Sequence, residues 1–136
     1  MLTLTDTDRA AIDQLVDTLE RAWNAGDGDA FAAPFAEDAD FVNVRAEHHQ
    51  GRRAIAGGHN AILRTIYAGS TNEYTVRSAR LVADDVAVAH VDAALDVPSG
   101  PLAGQMHALY SIVLVRTASD WRIASFHNTL LPPAQK

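Results

Sequence analysis

The chain has 136 residues, with 11 Lys and Arg against 17 Asp and Glu, a net charge of −6 and no cysteine. At roughly 100–200 residues per domain, this length reads as one domain spanning residues 1–136, and 48% hydrophobic with 21% charged residues excludes a disordered chain. The lack of cysteine excludes disulfides and thiolate metal ligation, the acidic balance argues against nucleic acid as a partner, and no apolar run approaches the ~20 residues that span a bilayer.

The start of the chain, Met1-Leu2-Thr3-Leu4-Thr5-Asp6, has neither a basic region nor an apolar signal core, so a cytoplasmic location is expected. Residues 7–25 then read as an amphipathic helix. Ile12, Leu15, Val16, Leu19, Ala22 and Trp23 recur on one face of a 3.6-residue period. Thr5 or Thr7 is the expected N-cap and Gly26 the expected residue just past the C-terminus. Asp27 can cap a second, short helix carrying Phe31 and Phe35, which Pro34 should cut or kink. Residues 39–44 read as a short strand. A third helix is expected from Arg52 to Tyr67, with Ile55, His59, Ile62, Leu63 and Ile66 on one face. Gly57 and Gly58 weaken this helix, and they allow something large to approach its backbone just before His59.

From Glu73 onward the pattern changes to strands. Tyr74–Ala83, Val86–Val97, Gln105–Arg116 and Trp121–Leu131 follow one another through Asp84-Asp85, Pro98-Ser99-Gly100-Pro101 and Ala118-Ser119-Asp120. Short connections imply an antiparallel meander. Pro132-Pro133 and a polar tail end the domain. Helices followed by a curved antiparallel sheet give an α+β domain, a cone with an open end and a largely apolar pocket. Gln105–Arg116 is apolar at almost every position. One sheet face can meet the helices, and a second subunit is the economical cover for the other.

The order of a first helix, Asn24-Ala25-Gly26-Asp27, Phe31…Phe35-Ala36-Glu37-Asp38-Ala39-Asp40-Phe41-Val42-Asn43-Val44 and Gly51-Arg52…Ala54-Ile55…His59 resembles the nuclear-transport-factor-2-like cone fold, which includes the SnoaL-like proteins. Within it, the Ala-Asp-Phe-Val-Asn-Val strand, the Gly-Arg…Ile…His helix and Trp121-Arg122-Ile123…Phe126-His127-Asn128-Thr129 are similar to the SgcJ/EcaC type. The resemblance spans nearly the whole chain. It implies a cystatin-like roll, a homodimer and a ligand pocket for a polyketide-type or similar metabolite, and it leaves the reaction open. Ketosteroid isomerases of this fold use an Asp base and an oxyanion hole of a Tyr and a protonated Asp. The matching positions here are Asn43 for the base, Leu19 for the Tyr and Ile112 for the acid. None can perform those roles, so that mechanism does not transfer.

Several polar residues are candidates for the pocket. His59 lies on an apolar helical stripe, and His127 alternates with Trp121, Ile123 and Ser125. Each reads either as an acid/base group in the cone or as a histidine held structurally. Asn43 shares a strand face with Phe41, and an inward amide needs a ligand, a histidine or a loop as its partner. His90 and Asp92 share a face and form either an oriented His–carboxylate pair or a solvated or interfacial surface. His107 and Tyr110 lie on opposite faces of their strand, and Tyr110 is the preferred ligand contact. Trp23 and Phe41 are expected as pocket wall. Adjacent His48 and His49 point to opposite sides of any strand, and while His59, His127 and Asp92 could converge as a two-His, one-carboxylate set, nothing in the spacing demands it and no metal is assigned. No cofactor is expected either, given the lack of a dinucleotide fingerprint. The expected function is binding of a small, largely apolar organic molecule by a dimer, with His59 and His127 doing acid/base chemistry. The alternative is a non-catalytic binding or association module.

Overall fold

The computed structural model describes residues 2–118 and 120–132. Ser119 of the expected turn, and Pro133 with the rest of the tail, lie outside the described residues. Helix α1 spans Asp6–Asn24. Its N-cap Thr5 accepts a hydrogen bond from the Asp8 N–H at 3.0 Å. At the other end Gly26 takes φ +69°, and the Gly26 and Asp27 amides bond back to the carbonyls of Trp23 and Ala22. This is the left-handed glycine stop that the sequence suggests. Asp27 then caps α2 (Gly28–Ala32), its side chain accepting from the Ala30 N–H.

Helix α2 ends before Pro34, and Phe35 opens a strand, not a second helical turn. Strand β1 runs Phe35–Val42, earlier than the expected 39–44. A short β2 (His48–Gln50), not foreseen, turns back on it. Helix α3 spans Arg52–Leu63 and stops four residues before Tyr67. Four long strands follow: β3 (Thr71–Ala83), β4 (Val86–Val97), β5 (Gly104–Thr117) and β6 (Asp120–Leu130).

These last four strands form the expected antiparallel meander, but the sheet as a whole is mixed. Its order is β2-β1-β6-β5-β4-β3, and β1 runs parallel to β6. The helices pack on one face of this curled sheet. Ile12, Leu19, Phe31, Phe35, Ile55, Val91, Ile112, Leu114, Ile123 and Phe126 form the centre of the core. Gly28 is required where α2 meets α3, because a Cβ there would lie 2.5 Å from the Asn60 backbone nitrogen. At the closed end, Asp8 of α1 accepts from Arg116 at 2.8 Å and from the Trp121 indole at 3.3 Å. Burial alone raises the Asp8 carboxyl, but its bonds with Thr5, Trp121 and Arg116 outweigh that and hold it below the ordinary carboxylate range. No helix among the described residues is long and apolar enough to cross a membrane.

Strand β6 departs from simple alternation. Leu114 pairs with Ile123 but Val113 pairs with Ser125, so Ala124 is an extra residue in the ladder. Such a bulge transfers every later side chain to the opposite face. Trp121 and Ile123 point into the core, and beyond the bulge Phe126 does so, at 1% exposure, in place of Ser125 and His127.

Candidate functional site

The open end of the roll holds a cavity of about 460 Å³. It exists because the sheet wall facing α3 carries small residues. Ala93 of β4 and Ala108 of β5 are direct cross-strand partners, and both line it. Leu95, Met106, Leu102 and Leu130 continue the wall towards the mouth. An aromatic belt forms the deeper part. His59 stacks on Phe31 at 4.1 Å between ring centroids and meets Phe41 edge-on at 4.7 Å. Phe41 stacks on Phe126 at 4.7 Å, and Phe126 lies 4.6 Å from Tyr110. Trp23 closes the belt against Tyr67 at 5.4 Å and donates its indole N–H to Ser70 Oγ.

His59 is the principal polar group of the belt. Its position follows from the helical stripe begun by Ile55, and it is 4% exposed. Nδ1 lies 2.8 Å from the Ile55 carbonyl oxygen, which can only accept. Nδ1 therefore carries the proton, and Nε2 is left as a bare acceptor. Burial lowers the imidazole to about 4, against the Ile55 bond that raises it. At neutral pH His59 is an uncharged hydrogen-bond acceptor in an apolar chamber.

Tyr110 also lines the cavity and donates to the Tyr74 hydroxyl at 3.3 Å. Burial raises both phenols, so neither ionises near neutrality. Trp23 and Phe41 stand in the wall where the sequence puts them. Asn43 is at the mouth, where its side chain folds a loop. Oδ1 accepts from the Arg45 and Glu47 amides, and Nδ2 donates to Glu47 Oε1 at 2.8 Å. Of the partners open to this amide in the sequence, the loop is the one it takes.

Three candidates lie elsewhere. His127 is exposed on the outer sheet face, because the Ala124 bulge reverses the alternation that would have aimed it inward. His90 and Asp92 alternate with the buried Ala89, Val91 and Ala93, so they too face outward. Asp92 is held by Arg77, with Nε to Oδ2 at 3.1 Å, which lowers its carboxyl. His90 approaches Ser78 at 3.5 Å. A His59–His127–Asp92 metal set is thus split between opposite sides of the sheet. A two-histidine acid/base pair is ruled out for the same reason.

Other lining residues were not singled out by the sequence. His49 of β2 lies over Gly58, where an added Cβ would meet its ring at 3.0 Å, so the glycine admits a histidine of the chain itself. Gly57, by contrast, faces open space. Arg45 and Glu47 pair at 3.1 Å on the rim. Asn72 and Asn128 also line the cavity, and the side-chain oxygen of each is buried without a hydrogen-bond partner among the described residues. Asn128 sits in the motif Phe126-His127-Asn128, where a bulge-free reading favours its neighbour. Asn72 falls just before the expected strand, which starts at Tyr74, whereas β3 begins at Thr71.

The family model of the SnoaL-like domain matches residues 12–132. No curated protein matches the chain. Among solved structures, the chain is similar to an uncharacterized protein with a cystatin-like fold from Caulobacter vibrioides, at 32% identity and a TM-score of 0.83, over 92% of this chain and 90% of that one. It is also similar to a domain of unknown function with a cystatin-like fold from Nostoc punctiforme, at 30% identity and a TM-score of 0.83, over 95% of this chain and 80% of that one. A type 2 hexachlorocyclohexane dehydrochlorinase, LinA, has the same fold at 17% identity and a TM-score of 0.82, over 93% of this chain and 86% of that one.

Proposed function

The chain belongs to the SnoaL-like domain family, and on that footing we propose that its cone binds a small, neutral, largely apolar organic molecule. The observation that carries this reading is the open chamber of about 460 Å³ with a buried, uncharged His59 in its aromatic belt. Its size lies within the ordinary range of small-molecule sites, roughly 300–1,000 Å³. Among the described residues no buried Lys or Arg lines the chamber to face a ligand carboxylate or phosphate, since Arg45 and Glu47 sit exposed on the rim and pair with each other. LinA, a neighbour in fold, takes by its name a chlorinated hydrocarbon ring, a ligand of the same apolar character. The motif at the end of β6 supports the narrower assignment to the SgcJ/EcaC type.

His59 accepts a hydrogen bond from a ligand hydroxyl, or a proton from an activated ligand C–H, at Nε2. Nδ1–H stays on the Ile55 carbonyl and holds the ring in place. Protonating an imidazole whose affinity is lowered to about 4 is unfavourable, so proton abstraction needs an acidic substrate. The open chamber favours this reading over an association module, for which side chains would plug the cone.

The second copy expected from the sequence fits the outer sheet face. There Val86 pairs with Val115 and Val88 with Val113, all half-buried in the single chain. We take this face as the dimer interface, which should bury at least ~1,000 Å².

The test is calorimetric titration with 2-naphthol, in wild type and in Ala93→Phe, whose added ring projects into the chamber. Saturable one-to-one binding that weakens at least about tenfold in the variant is expected, since a filled chamber removes the ligand's apolar burial. Equal affinity in the two proteins, or no binding by folded wild type, contradicts the proposal.

A further inference from the structure

Two amides inside the cone have no structural work to account for them. Asn72 is 4% exposed. Its backbone is held by Asn24, which accepts from the Asn72 N–H at 2.7 Å and donates to the Asn72 carbonyl at 3.0 Å. Its side-chain oxygen has no hydrogen-bond partner among the described residues. Asn128, the cross-strand partner of Tyr110, repeats the arrangement on β6, again with a buried and unpartnered side-chain oxygen. Buried polar atoms are nearly always paired, because the desolvation of an unpaired one is uncompensated. A wall of the same shape made with Leu would carry no such penalty. Two penalties of one kind, in one cavity, on strands separated by β4 and β5, point to a ligand that completes both amides.

We propose that Asn72 and Asn128 are the specificity-determining residues of the cone, and that they select a ligand with an apolar ring body oxygenated at two separated positions. Each amide turns about its terminal torsion to meet one ligand oxygen group, and offers a donor and an acceptor to a hydroxyl or a carbonyl alike. His59, on the opposite wall formed by α3, supplies an acceptor for a ligand hydroxyl. Polar contacts on β3, β6 and α3 fix orientation at three points, while the aromatic belt and Ala93 and Ala108 cover the ring body. A plain hydrocarbon fills the same volume and leaves all three groups unpaired. A site with buried polar groups discriminates strongly against the analogue that lacks their partners. This inference rests on the cone being the ligand site.

The experiment compares naphthalene with 2,7-dihydroxynaphthalene by calorimetric titration and by thermal denaturation, in wild type, Asn72→Leu and Asn128→Leu. Wild type should bind the diol at least about tenfold more tightly than naphthalene. Each leucine variant should lose most of that preference and bind naphthalene at least as tightly as wild type, because an apolar side chain replaces an unpaired amide in the wall. The ligand-free variants should melt at or above the wild-type temperature, because an unpaired buried amide has been exchanged for an apolar side chain. Should Asn72→Leu not fold, Asn72→Ala replaces it and is read for ligand preference alone.

Equal affinity of wild type for the two probes overturns the inference, as does a diol preference that survives in both variants. A fall of more than about 5 °C in Tm for ligand-free Asn128→Leu overturns it as well, by showing that the amide holds the fold. Wild type that binds neither probe overturns the reading of the cone as a ligand site, a result distinct from equal binding of both.

Discussion

The neutral state of His59 has a measurable consequence for stability. In the unfolded chain its imidazole titrates near 6.5, and in the folded protein near 4. Between those values the unfolded state binds a proton that the native state does not. Stability therefore rises with pH across this window and is lost as pH falls from 6.5 towards 4. Each unit of difference is worth about 1.4 kcal/mol, so His59 alone costs the fold about 2–3 kcal/mol at pH 4.5 relative to pH 8. The 4% exposure of the ring leaves little solvent to screen the effect. The assay is urea unfolding of wild type and His59→Leu at both pH values. Charged groups remote from His59 are common to the two proteins and cancel in the comparison. Wild type should lose about 2–3 kcal/mol more than the variant on acidification. A difference below about 0.5 kcal/mol would refute the burial argument and, with it, the neutral Nδ1–H form of His59.

Gly28→Ala should destabilise the fold by about 2–3 kcal/mol in the same unfolding assay, because its Cβ would lie 2.5 Å from the Asn60 nitrogen and 2.8 Å from the Ala56 carbonyl oxygen. His127→Ala should leave 2-naphthol affinity unchanged, since the side chain lies on the outer sheet face, away from the chamber; a loss of binding would mean that the Ala124 bulge is misplaced. Light scattering should give twice the chain mass for wild type, and Val113→Glu, which puts a charge on the outer sheet face, should give the single-chain mass. A wild-type monomer at micromolar concentration would remove the dimer from the account.

The helices were legible because capping and periodicity agree. Thr5, Gly26 and Asp27 mark the ends of α1 and the start of α2, and the stripe of α3 points His59 inward without any knowledge of the sheet. Strand faces were legible only while alternation held. On β4 the buried Ala87, Ala89, Val91 and Ala93 follow period two, and on β5 Tyr110, Ile112 and Leu114 do the same. The same pattern also made His90 and Asp92 readable as a solvated surface. On β6 one extra residue, Ala124, reversed the pattern and exchanged His127 for Phe126. No propensity marks that bulge, because it follows from the pairing with β5.

Long-range pairing hid other features. The parallel ladder between β1 and β6 joins segments more than 80 residues apart and has no local signature. Strand β2 is three polar residues long, His48-His49-Gln50, and is a strand only because β1 accepts it. For that reason His49 did not stand out as a lining residue. The amides of Asn72 and Asn128 were invisible for a related reason. An unpaired atom is defined by what surrounds it in the fold, and residue type carries no trace of it.

Nitrogen NMR of the His59 ring, in protein with ¹⁵N-labelled histidine before and after addition of 2,7-dihydroxynaphthalene at pH 7, decides whether this histidine meets the ligand. A protonated Nδ1 and a bare Nε2 are expected in the free protein. On binding, the Nε2 resonance should shift as it accepts the ligand hydroxyl, with Nδ1–H unchanged on the Ile55 carbonyl. A ring protonated at Nε2, or a His59 signal indifferent to saturating ligand, would contradict the assignment of this histidine as the acceptor in the cone.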